Sequence, residues 1–336
     1  MRLQLIKLLE TLVVVASLAA TAEAQVGKMH AGLANKMRTL QTQIVSGRIA
    51  SSPPNDGRGF NSAIRSGDRQ ERLLLSFDDN LVTMNYEQTS PDWQASVDVS
   101  GGNQISMRFM PKAEGGFVPV EFQQPDEGSL TLRVGVAGSA KEVVAPTVWH
   151  LLIAERELCE RHLLPLMEFL RPDWKLAETV DSAEKSLSWA ATTMRPYDRR
   201  LLAELVEELG SSRFARRQAA EKKLLDAGQA VLPILRGVER SRLDAEQDYR
   251  LRSIMRALQG DDVEDSPERV ATWLAGDPYV WLALLSRNDE SMRREAAKQL
   301  ARLLQEPVVF DAVANEATRR EQVKSIAEQI ARVWAF

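Results

Sequence analysis

The chain has little of the material that most cofactor and metal sites need. Its 336 residues include one cysteine and three histidines. A single cysteine excludes an intramolecular disulfide framework and any zinc or iron–sulfur site built from several thiolates. No phosphate-binding loop, Gly-x-Ser-x-Gly elbow or His-Glu-x-x-His helix occurs in the sequence, so an enzyme of those classes is not expected. We therefore predict no cofactor.

The chain also lacks an excess of positive charge. Its 43 Lys and Arg face 47 Asp and Glu, for a formal net charge of −4. Nucleic-acid binding rests largely on cationic contacts with phosphates, so we do not expect a nucleic-acid partner. Apolar residues make up 44 % of the sequence, which is enough for packed cores.

The one long apolar run lies at the start of the chain. Arg2 and Lys7 precede the apolar stretch Leu12–Ala20, and the small-x-small triplet Ala22–Ala24 follows it. This order is typical of a secretory signal peptide, so we predict a leader over 1–24 with cleavage before Gln25. The expected location is extracytoplasmic, periplasmic or secreted. An uncleaved membrane anchor is the alternative.

Next comes a predicted amphipathic helix over 25–45. Its apolar residues recur every three or four positions, which places them on one side of a helix: Met29, Leu33, Met37, Leu40 and Ile44. Such a helix could dock on the protein or a partner, or could lie on an anionic membrane surface. Residues 46–72, with the turn-prone run at 51–59, are predicted to form a flexible linker.

A β-rich α+β module is predicted over 73–195. Apolar residues alternate with polar ones in six segments separated by turn-forming residues, which favours about six antiparallel strands. The segments are 73–77, 82–86, 97–99, 105–109, 118–122 and 130–136. A long helix over 148–170, kinked near its end by Pro165, is expected to cover the apolar face of the sheet.

Three residues of that covering helix form the best candidate for metal chemistry. Glu155, Cys159 and His162 are spaced four and three apart, which places a carboxylate, a thiol and an imidazole on one helix face. Such a set could hold a soft divalent metal. In the alternative, Cys159 is a small buried apolar residue and the other two flank it at the surface.

From residue 196 to 336 the apolar spacing is helical. Helices are predicted at 201–209, 213–226, 229–239, 244–259 (burying Tyr249) and 316–334. The segment 216–225 is similar to 293–302, an offset of 77 residues. Repetition at this scale indicates stacked structural units.

The segment 209–235 resembles a HEAT-like helical repeat of the kind found in secreted bacterial proteins, notably those of planctomycetes. The resemblance rests on Ala219 and Ala220, on Gly228 between two helices and on Pro233 within the second. It covers about 198–304, although the acidic break at 261–265 departs from it. It implies an all-α, armadillo-type repeat domain over 196–336 that acts as an interaction scaffold.

Two clusters of residues are candidates for binding a protein or peptide partner. The first is cationic and comprises Arg213, Arg216 and Arg217, which could contact an acidic partner. The second is aromatic and comprises Trp273, Tyr279 and Trp281, since aromatic residues often anchor interfaces. A solvated helix face and core packing are the respective alternatives.

These observations predict an exported, non-catalytic scaffold that binds a protein or peptide through its helical repeats. One alternative is a metal-dependent module or enzyme centred on Glu155, Cys159 and His162. The other is a protein attached peripherally to a membrane surface.

Overall fold

The computed structural model describes residues 32–334 except 55–56, 79–80, 113–117, 137, 194–198, 229–230, 237, 239 and 260–262. The predicted leader over 1–24 therefore lies outside the described residues. An antiparallel sheet region is followed by a helical region. The described residues form two compact units: unit 1 contains those up to Ile44, Arg48–Leu151 and Glu155–Ala177, and unit 2 contains Val45–Gly47, Leu152–Ala154 and those from Glu178 onward.

Unit 1 is built on an eight-stranded antiparallel sheet in which each strand pairs with its neighbours in sequence. All six predicted strands are present, and one strand is added at each edge. The strands are β3 (Phe60–Ser66), β4 (Arg69–Asp78), β5 (Leu81–Thr89), β6 (Trp93–Ser100), β7 (Gln104–Pro111), β8 (Val120–Gln124), β9 (Leu130–Val134) and β10 (Lys141–Ala145).

One face of the sheet is buried, because apolar residues occupy every second position of the central strands. The opposite face is polar and carries a continuous cross-strand row. It runs through Arg72, Glu87, Ser96, Arg108, Glu121, Arg133 and Glu142. Within this row Arg108 pairs with Glu121 at 2.9 Å, and Arg133 pairs with Glu142 at 2.5 Å. Charges of opposite sign therefore face each other where strands β7 to β10 meet.

The expected helix over 25–45 is wrong for most of its described part. Only a single turn, α1 (Ala34–Met37), is helical, and β1 (Gln41–Val45) follows it. Ser46 and Gly47 both have positive φ, 50° and 74°, which is the two-residue hairpin geometry that reverses the chain into a second strand. That strand is β2 (Arg48–Ser52), so β1 and β2 form a separate two-stranded sheet.

The expected flexible linker over 46–72 is also wrong in large part. It contains β2, all of β3 and the start of β4. Strand β3 is absent from the prediction because apolar and polar residues do not alternate along it. All of its side chains are exposed or half-buried. Hydrogen bonding to β4, rather than burial, defines this strand.

The covering helix is interrupted rather than continuous. It consists of α2 (Val148–Ala154), α3 (Arg156–Leu158), a π-helical turn (Cys159–Leu163) and α4 (Leu164–Leu170). The backbone leaves helical geometry at Glu155, and Pro165 has no N–H to continue a regular ladder. Its last part does lie on the sheet, since the ring of Phe169 is 5.3 Å from that of Tyr86 on β5.

From Glu178 onward, the regular secondary structure of unit 2 is helical in its described part. The helices are α5 (Leu176–Thr193), α6 (Arg199–Glu208), α7 (Phe214–Asp226), α8 (Leu232–Arg236), α9 (Ala245–Gln259), α10 (Pro267–Leu274), α11 (Pro278–Leu284), α12 (Glu290–Leu304) and α13 (Glu316–Trp334). Helix α5 belongs to this unit rather than to the sheet module: Glu184 pairs with Arg287, and Arg302 donates to the carbonyl of Ala191. The units thus divide at residue 177, whereas the sequence places the boundary at 195.

Two helical hairpins of unit 2, α6–α7 and α11–α12, correspond at an offset of 76 residues rather than 77. At this offset the fully buried Ala220 and Leu224 of α7 match the fully buried Ala296 and Leu300 of α12. At 77 the exposed Ala219 would match the buried Ala296.

An arginine at the same position of α7 and of α12 gives the same offset of 76 residues through its hydrogen bonds. Arg217 and Arg293 each occupy the fourth position of their helix. Each donates through Nη1 to a carbonyl six residues earlier at 2.7 Å, that of Ser211 and that of Arg287 respectively. Arg319, fourth in α13, donates in a similar way to Ala314 at 2.6 Å. The arginine therefore ties the start of each helix to the loop before it.

Candidate functional site

The three predicted metal ligands do not form a metal site. Glu155 lies at the break between α2 and α3 and pairs with Lys141. The Cys159 thiol is buried and donates to the carbonyl of Leu151 at 3.5 Å. Burial, followed by the charge of Glu155, raises the pKa of Cys159 to about 12. Within the described ranges, no three His, Cys, Asp or Glu side chains are grouped as metal ligands would be.

His162 is half-buried. Its Nδ1 atom is buried without a hydrogen-bond partner. Burial, and then the charge of Arg161, lowers the pKa of His162 below 6.5. The π-helical turn also changes the angular spacing between Cys159 and His162, so the expected common face is lost.

The predicted aromatic patch is also mostly core. Trp273 and Trp281 are buried, and the indole Nε1 of Trp281 donates to the carbonyl of Ala275 at 2.8 Å. Tyr279 is partly exposed. Two of the three aromatic residues are therefore unavailable to a partner, and core packing explains them.

The cationic residues, in contrast, lie at the start of an unusually exposed helix. In α7 only Ala220 and Leu224 are buried. Arg213 and Arg216 are exposed, and Arg217 is half-buried. Phe214, at the first position of α7, exposes 59 % of its surface, and the Arg217 guanidinium lies 5.6 Å from the centre of its ring.

Helix α9 packs beside α7 through alternating charges. Arg250 bridges the two helices, with contacts of 2.6 Å to Glu221 on α7 and 2.7 Å to Glu246 on its own helix. Arg217 lies 3.5 Å from the same Glu246. This network holds the polar edges of the two helices together above an apolar core that includes Leu224, Leu251 and Ile254.

An exposed aromatic residue lies on α9 as well. Tyr249 exposes 70 % of its surface, whereas the sequence predicts that it is buried. It follows Glu246 by one turn, just as Phe214 precedes Arg217 on α7. We call Arg213, Phe214, Arg216 and Tyr249, together with the network between them, the α7/α9 surface.

The α7/α9 surface is cationic within a chain that is negative overall. Residues 213–226 contain five Lys or Arg and two Asp or Glu, and 245–259 contain three and two. Exposed aromatic rings beside guanidinium groups can bury apolar side chains and pair with carboxylates at the same time. This arrangement suits recognition of a polypeptide better than chemistry on a small molecule.

Sequence reasoning found the arginines of this surface but missed its aromatic residues. Phe214 and Tyr249 do not lie on the face of the helix that the buried residues form, so they are off the apolar stripe. That departure from the stripe is the signal by which they could have been recognised.

Comparisons with known proteins identify no relative: no protein-family model, no curated protein and no solved structure matches the chain. Within the described part of the chain, we find no helix with the length and apolarity needed to cross a membrane.

Proposed function

We propose that the protein is an exported, non-catalytic scaffold that binds an acidic protein or peptide through the α7/α9 surface. The observation that carries this proposal is the exposed ring of Phe214, which lies 5.6 Å from the Arg217 guanidinium on a helix with an excess of cationic residues. Tyr249 on α9 is a second exposed aromatic residue. The matching hairpins α6–α7 and α11–α12 support a HEAT-like repeat architecture for unit 2. The leader-like sequence of 1–24 supports export to the periplasm or the medium.

The alternative of membrane attachment through 25–45 has less support. Its described apolar residues, Leu33, Met37, Leu40 and Ile44, are all buried within the protein. They are therefore not available to enter a lipid surface. Of this stripe only Met29 lies outside the described residues.

Site-specific photo-crosslinking in cells tests the proposal. A benzophenone-bearing phenylalanine analogue replaces Phe214 or Tyr249 in the full-length protein. The control carries it at Val309, which is also highly exposed in unit 2. We expect one specific adduct at 214 and 249 that is absent at 309.

The charge of the partner is tested in the same cells. The double variant Arg213→Glu/Arg216→Glu should abolish the adduct, because it replaces two exposed cations by anions. Added salt should weaken the purified complex, since contacts at an exposed surface are screened. An adduct of equal yield at all three positions, or one unchanged by charge reversal, would contradict the proposal.

A further inference from the structure

Two parallel helices of unit 2, α7 and α9, form a groove on their solvent side. Arg217 on α7 lies 3.5 Å from Glu246 on α9, and one turn later Glu221 on α7 lies 2.6 Å from Arg250 on α9. Since both partners advance by one turn in the chain direction, the two helices run parallel. These four charged side chains join the helices along the floor of the groove, which we call the α7/α9 groove.

The α7 wall of this groove carries exposed apolar residues. Successive residues of a helix are about 100° apart, so Phe214, Gln218 and Leu225 fall within about 40° of one another. They lie next to the floor residues Arg217 and Glu221 on the helix surface. All three are exposed, Leu225 over 36 % of its surface. They therefore belong to the wall of the groove and not to the core.

The α9 wall carries Tyr249 and Arg256, which are both exposed. These residues are seven apart, so they lie on nearly the same face of the helix, about 160° from the buried Leu251 in the case of Tyr249. Tyr249 directly precedes Arg250, which contacts Glu221. The tyrosine is therefore level with the middle of α7, and a ligand in the groove can reach aromatic or apolar side chains from both walls.

The equivalent face of α12 is not apolar. At the offset of 76 residues, Phe214 and Leu225 of α7 correspond to Glu290 and Ala301 of α12. A carboxylate and a methyl group thus occupy the positions at which α7 exposes a ring and a leucine. The helical hairpin itself does not require these two large apolar residues, so their exposure on α7 indicates a contact with a ligand.

The charges of the groove favour an acidic ligand. On the floor, two guanidinium groups lie beside two carboxylates, and these charges cancel. On the walls, Lys222 follows Gln218 by one turn, and Arg256 follows Tyr249 by two turns, and both cations are exposed. A ligand that combines apolar side chains with carboxylates on either side of them matches this arrangement.

Backbone hydrogen bonding favours a helical ligand over an extended one. The walls are side chains of regular helices, whose backbone groups are already paired within each helix. An extended peptide would lose water from its own backbone here without gaining partners, whereas a helix pairs its backbone groups internally. Phe214 and Leu225 are 11 residues and about 16 Å apart along α7, which equals three turns of a helix lying beside it.

We propose that the α7/α9 groove binds one acidic amphipathic helix of the partner, an inference that rests on the proposed function. The apolar stripe of this helix lies against the three exposed apolar side chains, and carboxylates beside the stripe pair with Lys222 and Arg256. The ring of Phe214 lies 5.6 Å from the Arg217 guanidinium, so it is held in place before binding. This preorganisation lowers the entropic cost of forming the complex.

Mapping of crosslinked residues tests for the helix directly. The photo-reactive phenylalanine analogue is placed at 214, 225 or 249 of the full-length protein in cells, and mass spectrometry identifies the partner residue joined to each. A distance of about 16 Å spans 11 residues of a helix but only about five residues of an extended strand. We expect the partner residues joined to 214 and 225 to be about 10–12 apart, with the residue joined to 249 between them.

A synthetic peptide that covers the mapped segment then tests the named residues. Circular dichroism should show that it gains helix on binding. Leu225→Ala shortens an exposed side chain without loss of helix propensity, so it should leave the melting temperature unchanged and weaken peptide binding at least threefold. Lys222→Glu should weaken binding at least fivefold. Val309→Ala, which shortens a highly exposed apolar residue outside the groove, is the matched control and should bind normally.

Failure of this proposal is distinguishable from failure of the proposed function. Partner residues that are about five apart, or that lie in separate segments of the partner, would keep an interface at this surface but overturn the helix. An adduct between two copies of this chain would also overturn it, and so would unchanged affinity in both Leu225→Ala and Lys222→Glu. Absence of an adduct at all three positions of the folded protein would refute the interface and the helix together.

Discussion

Arg293 is the residue whose removal should destabilise the helical unit most clearly. Its side chain is only 6 % exposed. The guanidinium donates to the carbonyl of Ala312 through Nε at 2.9 Å and Nη2 at 2.6 Å, and to those of Arg287 and Asn288 through Nη1 at 2.7 Å. One cation thus holds the loops before and after α12.

In Arg293→Ala, three carbonyls lose their charged donor. Each such loss costs about 1–3 kcal/mol, and water entering the space recovers part of it, so we expect a decrease of about 3–4 kcal/mol in the free energy of unfolding. For a unit of this size, that corresponds to roughly 10 °C in melting temperature. Urea unfolding followed by circular dichroism at 222 nm reports on the helices.

The adjacent residue provides the control. Arg294 is exposed and pairs with Glu290 one turn earlier at 2.5 Å. Exposed pairs of this kind contribute about 0.5 kcal/mol or less, so Arg294→Ala should be nearly neutral. If the two alanine variants have the same unfolding midpoint, the carbonyl contacts of Arg293 do not stabilise the unit and the reasoning is refuted.

Three further outcomes are expected. Because the pKa of Cys159 is raised to about 12, its thiol should not react with Ellman's reagent at pH 8 in the native protein but should react fully in guanidinium chloride; rapid native reaction would contradict this. Because the pKa of His162 is lowered below 6.5 in the folded protein, the unfolded state binds a proton at a higher pH than the folded state does. The contribution of His162 to stability is therefore present above pH 6.5 and is lost as the pH falls. His162→Gln should therefore reduce the loss in melting temperature between pH 7 and pH 5, and an unchanged pH profile would count against it. Arg133→Glu puts a third carboxylate between Glu121 and Glu142, so it should lower the melting temperature, and added salt should restore part of the loss.

Much of the architecture follows from sequence periodicity, and the failures have identifiable physical causes. Helices whose apolar stripe packs on a core are predicted closely: α7, α9 and α13 match to within one or two residues. Strand β3 is missed because hydrogen bonding rather than burial defines it. Residues 41–45 are misassigned because Met37, Leu40 and Ile44 have helical spacing by coincidence, and the Ser46-Gly47 turn outweighs it.

The offset between the similar segments 216–225 and 293–302 shows a different limit of sequence-based prediction. Arginines and alanines occur in adjacent pairs in both segments, Arg216-Arg217 with Ala219-Ala220 in the first. Matching residue types alone therefore allows an error of one position. Burial removes the ambiguity, because only one member of each pair faces the core. The metal-site prediction fails for a related reason: residue spacing places Glu155, Cys159 and His162 on a regular helix, and it cannot anticipate the break at Glu155.

The corrected register identifies where α7 departs from its counterpart, and this departure yields the sharpest test of the proposed function. At an offset of 76, Phe214 corresponds to Glu290, an ordinary solvated residue in the first turn of α12. Phe214→Glu therefore gives α7 the residue that the equivalent helix already has. A carboxylate is favourable near a helix N-terminus, and it can pair with Arg217 in place of the ring. We expect the free energy of unfolding to change by less than about 0.5 kcal/mol. Binding of the acidic partner should nevertheless be lost, measured as disappearance of the crosslink from position 249. If the variant is stable and the crosslink persists, the exposed ring is not part of the interface, and the α7/α9 surface is not the binding site.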